Sequence, residues 1–156
     1  MNIPEASGVA DISEILARVP HRYPFVLVDR LLECVPMKSV RAIKNVSRNE
    51  PFFDGIEGHQ PRMPQLLIIE AMAQTCALLC SLSFPRETNL IYIFAGIENC
   101  RFARSVIPGD QLLLEATARR MARQYGKYHA RACVGEEVVA EADLIAVIAR
   151  RPGPSA

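Results

Sequence analysis

An excess of charge of either sign is missing from this sequence. Eighteen Lys and Arg residues face 17 Asp and Glu over 156 residues, a formal net charge of +1. So balanced a chain offers no basic surface of the kind that holds a nucleic-acid backbone. It also lacks any Cys-x-x-Cys pair. The five cysteines, Cys34, Cys76, Cys80, Cys100 and Cys133, are scattered, which argues against a disulfide framework or a metal site and for reduced thiols in the cytoplasm. Cys76 and Cys80 lie one helical turn apart, a spacing unsuited to a disulfide, and read as core thiols. There is no internal repeat and no low-complexity run. The length fits one domain over 1–156, with an ordered core over 12–148 and short tails. The opening MNIPEASGVADISE is acidic and polar, unlike a signal peptide. A second long apolar run is absent as well, so the first one is not read as a membrane span.

That one run organises the rest. Met63–Pro85 reads MPQLLIIEAMAQTCALLCSLSFP. Pro64 suits the first turn of a helix and Pro85 a stop. Between them the apolar residues point to all sides, which predicts a buried helix over 64–83. Half of all residues are hydrophobic, enough for a sizeable core around it.

The flanking segments are shorter. Asp11–Val19 fits a small capped helix with Ile12, Ile15, Leu16 and Val19 as its apolar face. Phe25–Cys34 suits a long strand and Ser39–Val46 its return. Asn49–Arg62 carries the Pro, Gly and mixed charge of a loop. Leu90–Ile97, Gln111–Ala118, Lys127–Val134 and Val138–Ile148 read as four further strands, with a turn at Pro108-Gly109-Asp110 and a hairpin at Gly135-Glu136-Glu137. Helices segregated from runs of strands predict an α+β fold, an antiparallel curved sheet wrapped around one long helix.

Within that helix Glu70 is the one formal charge between Arg62 and Arg86. A carboxylate in apolar surroundings is costly unless it is paired or working. The plain reading is a Glu satisfied by water or backbone amides; the functional reading is a proton-transfer group whose desolvation raises its pKa.

Five phrases in order resemble the (3R)-hydroxyacyl-acyl carrier protein dehydratases of bacterial type II fatty acid synthesis. They are PHRYPFVLVDR (Pro20–Arg30), KNVSRNEPFF (Lys44–Phe53), LLIIEAMAQ (Leu66–Gln74), FAGIENCRFARSVIPGDQL (Phe94–Leu112) and VVAEADL (Val138–Leu144). The resemblance covers Ile12 to Ile148. It implies a hot-dog fold, a homodimer or trimer of dimers, a cytoplasmic home and an acyl thioester substrate delivered on the phosphopantetheine of an acyl carrier protein. It also implies a syn elimination of water with no metal and no organic cofactor. In that chemistry a histidine takes the α-proton, a carboxylic acid on the central helix of the neighbouring subunit protonates the departing hydroxyl, and an amide at the helix N-terminus binds the thioester oxygen. The carboxyl position is retained as Glu70.

The histidine position is not. The family writes Phe-Phe-x-Gly-His-Phe-Pro-Gly-x-Pro-Val-Met-Pro-Gly where this chain writes FFDGIEGHQPRMPQ at equal length. Without gaps, the histidine falls on Ile56 and the thioester-facing glycine on Gln65, whose amide N–H survives. His59, three residues on, is the candidate replacement base. Matching Gly58-His59-Gln60-Pro61 to Gly-His-Phe-Pro instead needs an insertion before and a deletion after. Phe53 and Phe94 lie in phrases used around the acyl tunnel, though core packing is the plainer reading of each. His21 reads as structural, bonding backbone at a strand entrance, and His129 as facing solvent. Arg101 and Arg104 are candidates for docking an acidic carrier protein, against the plain reading of a solvated face. Three functions follow: a dehydratase using His59; a catalytically silent subunit, or one that completes a heteromer with a histidine-bearing relative; and a hot-dog thioesterase, for which the phrases argue least.

Overall fold

The computed structural model describes residues 10–55, 60–84 and 90–150. A short helix, α1 (Ile12–Arg18), opens at Asp11, whose carboxylate accepts from the N–H groups of Ser13 and Glu14. That cap satisfies two of the N–H groups a helix start leaves without a partner. Ile15 and Val19 then turn into the core. The long helix, α2, spans Gln65–Ser83. Pro64 stands at its N-cap, one place before the first turn where the sequence suggested it.

Six strands follow the chain as β1 (Arg30–Val35), β2 (Ser39–Asn45), β3 (Leu90–Phe102), β4 (Gln111–Ala122), β5 (Tyr125–Val134) and β6 (Glu137–Arg150). They form one sheet in the order β1-β2-β4-β5-β6-β3, antiparallel throughout. Their inward residues alternate as strand geometry requires: Val40 and Ala42, then Leu112, Leu114 and Ala116, then Tyr128, Ala130 and Ala132. The helix lies against that face. Among the described residues, α2 is the one helix long and apolar enough to cross a membrane. Its Ile68, Met72, Leu78 and Leu79 are each at most 1% exposed, so its apolar surface is turned to the sheet. Burying each contributes about 1.5–3 kcal/mol. A sheet wrapped around a central helix in this manner is the hot-dog fold.

Several strand boundaries differ from the sequence expectation. β1 begins at Arg30 rather than Phe25, because the Gln74 side chain on α2 bonds the Leu27 N–H and the Phe25 C=O that a ladder would otherwise use. β3 continues past Ile97 to Phe102, since β6 pairs with it as far as Phe102↔Ala140, with register shifts at Phe94/Gly96 and Glu98/Arg101. The β4–β5 hairpin likewise extends to Ala122 and Tyr125.

The segment after β2 is firmly tied. Lys44 points inward at 2% exposure and its ammonium donates to Glu50 at 2.5 Å and to the Asn45 carbonyl at 3.1 Å. A buried cation needs such partners. Arg48 donates to the Phe53 carbonyl at 3.0 Å. On the far side, the Met63 N–H donates to Val106 at 2.8 Å. Ile56 and His59 fall between these anchors and lie outside the described residues.

Gly126 in β5 exists for a neighbour. A Cβ there would stand 2.2 Å from the Tyr128 hydroxyl oxygen and 2.5 Å from its ring. Tyr128 is 1% exposed and has little room to yield. Gly126→Ala is therefore expected to destabilise the protein by about 1–3 kcal/mol through overpacking, read as a lower denaturant midpoint at unchanged m-value. Pairing it with Tyr128→Leu should recover most of that loss.

Candidate active site

Glu70 and Gln74 share one face of α2, four residues apart. The Gln74 amide donates from Nε2 to Glu70 Oε1 at 2.8 Å and to the Phe25 carbonyl at 2.8 Å, while its Oε1 accepts from the Leu27 N–H at 2.8 Å. This buried side chain clamps the segment between α1 and β1 onto the helix. It thereby carries His21 to Glu70: His21 Nε2 is 3.2 Å from Glu70 Oε1. Both are partly exposed, at 29% and 26% of their side-chain surface. The expectation that His21 serves backbone at a strand entrance is thus corrected. Among the described residues the ring meets Glu70, and its buried Nδ1 has no hydrogen-bond partner. The loop itself is secured by Gln74 and by Arg22, which donates to the carbonyls of Val19 and His21.

These polar groups line a cavity of about 70 Å³. Its walls are Ala73, Cys76 and Ala77 from α2, Tyr92 and Phe94 from β3, Tyr128 from β5, and Leu144 and Ala146 from β6. Small residues on the helix and on β6 leave the space; the aromatics shape it. Burial pushes the Cys76 thiol and the Tyr128 phenol up, so neither ionises near neutrality. The cavity is an apolar slot with one carboxyl group, Glu70, in its lining.

The charge state of Glu70 differs from the expected one. Burial is the largest single influence and pushes its carboxyl up, as the sequence suggested. The hydrogen bonds from His21 and Gln74, with the His21 charge, outweigh it, and the group ends below the usual carboxylate range. Both bonds converge on Oε1. Among the described residues Oε2 has no partner.

The remaining candidates separate. Phe94 lines the cavity and is 44% exposed. Phe53 is fully buried in the core and does not line it. Gln65 opens α2, in the turn where helical N–H groups lack intrahelical partners and the dipole is positive. Arg101 pairs with Glu141, and Arg104 with Glu137 and Asp110. His129 lies on the outer face of β5, with Nδ1 3.0 Å from Asp143. Among the described residues no His, Cys, Asp and Glu cluster is arranged for a metal. His21, read from the sequence as structural, and Gln74, to which the sequence assigned no role, are the site residues the structure adds. The signal was present in Gln74, a second polar residue one turn from Glu70 in an otherwise apolar helix.

A sheet rolled on a buried helix is the hot-dog architecture, and solved structures share the fold. The dehydratase heterocomplex ApeI:P from Xenorhabdus doucetiae superposes with a TM-score of 0.73 at 16% identity, covering 90% of this chain and 91% of that one. A mutant thioesterase from Pseudomonas aeruginosa gives 0.65 at 13%, covering 90% and 95%. Residues 19–143 match the FabA-like domain, and the chain belongs to that family. It is 51% identical over 146 residues to the 3-hydroxyacyl-[acyl-carrier-protein] dehydratase FabZ of Bordetella petrii, covering 88% of this chain and 95% of the relative. The enzyme of the same description from Nitrosospira multiformis is 51% identical over 140 residues, covering 88% and 96%.

Proposed function

We propose that this chain is a FabZ-like 3-hydroxyacyl-[acyl-carrier-protein] dehydratase of fatty acid biosynthesis, working in the cytoplasm on acyl chains carried as phosphopantetheine thioesters. The observation that carries the reading is the Glu70 carboxyl, which lines an apolar cavity and is anchored through Oε1, with no partner for Oε2 among the described residues. In the elimination a base breaks the Cα–H bond next to the thioester, its electron pair forms the double bond, and the C–O bond to the β-hydroxyl breaks. The hydroxyl leaves as water with the proton that Glu70 supplies from Oε2. The base is His59, replacing the family histidine whose place Ile56 occupies. The Gln65 N–H at the start of α2 binds the thioester oxygen as negative charge develops, where the helix dipole helps. Phe94 borders the acyl chain.

Assembly follows from the sheet edge. β3 is a 13-residue edge strand, and Ile93, Phe94 and Ile97 on it are 50%, 44% and 39% exposed, as is Leu66 of α2 at 75%. A long apolar edge calls for a partner strand. A second copy related by a two-fold axis supplies one.

The test is direct. The purified chain, given a 3-hydroxyacyl-acyl carrier protein, is expected to form the enoyl thioester at an ordinary enzymatic rate, roughly 1–10³ per second, followed by the absorbance of the conjugated product. Hydrolysis to free carrier thiol without enoyl product would favour the thioesterase reading, and neither product would favour a silent or heteromeric subunit.

A further inference from the structure

An acid whose proton is held too loosely at rest raises a question of design. The Glu70 carboxyl lies below the usual range, so less of it is protonated near neutrality; what is gained is a stronger acid, because the carboxylate left after proton transfer is already stabilised. Geometry says how. Oε1 receives both Gln74 Nε2 at 2.8 Å and His21 Nε2 at 3.2 Å. A carboxyl oxygen engaged by two donors is a poor place for a proton, so the transferable proton resides on Oε2, the oxygen with no partner among the described residues. A carboxylate only accepts, so His21 presents its Nε2–H to Oε1.

We propose that His21 is a positioning residue of the reaction: it holds Glu70 Oε1, confines the transferable proton to Oε2, and stabilises the carboxylate that forms as the hydroxyl leaves. This rests on the dehydratase reading and deepens it. A purely structural role for His21 is disfavoured on two counts. Among the described residues its Nδ1 serves no backbone group. The loop is fastened by Gln74 and Arg22 instead. The other ionisable groups bordering the cavity are Cys76, Tyr92 and Tyr128. Cys76 and Tyr128 are pushed upward, so neither supplies charge near neutrality, and the bonds that tune Glu70 come from His21 and Gln74.

The experiment compares wild type with His21→Leu, which removes the donor, and His21→Gln, which keeps one. The Glu70 side-chain carboxyl carbon is followed by NMR titration without substrate, and kcat, KM and the pH profile are measured separately. In His21→Leu the Glu70 midpoint should rise, the alkaline limb of kcat should move to higher pH with it, and plateau kcat should fall on the order of 10–10²-fold from lost orientation with KM little changed. His21→Gln should recover part of each effect. An unmoved Glu70 midpoint in folded His21→Leu overturns the proposal whatever the activity. A folded His21→Gln that behaves as His21→Leu also overturns it. Should His21→Leu fail to fold, His21→Gln is compared with wild type alone, and an identical pH profile and kcat would then overturn the proposal. A midpoint that rises in a protein without dehydratase activity supports the pairing and sinks the dehydratase reading.

Discussion

Glu70→Gln should leave a folded protein that has lost nearly all dehydration, with kcat lower on the order of 10²–10⁴-fold, the contribution of one proton-transfer group. The substitution is nearly isosteric. A Gln oxygen at this position still accepts from Gln74 and His21 at the Oε1 site, so the clamp on the segment between α1 and β1 persists. What disappears is the proton on Oε2. Because the side chain is 26% exposed and its neighbours keep their partners, thermal unfolding should shift little. The measurement is kcat at saturating 3-hydroxyacyl carrier substrate alongside a melting curve. Full activity in Glu70→Gln would remove Glu70 from the chemistry and leave the cavity without a proton donor on α2.

The second large effect concerns the base. His59→Ala should likewise cost on the order of 10²–10⁴ in rate. In that background, Ile56→His, combined with Gln65→Gly to open the thioester pocket, should restore much of it. The reasoning is positional: Ile56 occupies the family's histidine place in FFDGIEGHQPRMPQ, and the chain on either side is fixed by Lys44–Glu50, by Arg48 to the Phe53 carbonyl and by Met63 to Val106. A histidine returned to position 56 enters a frame already anchored at both ends. If wild type is active and His59→Ala is equally active, the loop holds no base. The imidazole must then come from elsewhere, and a heteromer with a histidine-bearing relative becomes the reading to pursue. Single-turnover rates would separate loss of chemistry from slow product release in each variant.

Much of this protein is legible in its residues. Met63–Pro85 could only be a buried helix, because apolar side chains on every face leave none for water, and α2 is found at Gln65–Ser83. The period-two runs placed the strands because a pleated strand facing a core must alternate. The anomaly of a lone carboxyl within the helix marked Glu70, since an ionisable group amid apolar neighbours demands a partner or a task. Spacing and phrase order carried the family, and the matched domain over residues 19–143 agrees with it.

The tertiary structure decided what Glu70 touches. His21 and Glu70 are 49 positions apart in the chain, and no local pattern connects them; the connection is the Gln74 amide, which exchanges bonds with Leu27 and Phe25 and so both delays the start of β1 and brings the His21 ring to the helix. The same contact reversed the expected direction of the Glu70 carboxyl. From sequence only its desolvation was visible, and desolvation alone raises a carboxyl; the two donors that lower it arrive from a loop and from the next turn of the helix. Periodicity reports which face of an element is buried. Which side chains meet across that face is set by packing, and here it is the packing of one loop on one helix that turns an isolated acid into a positioned one.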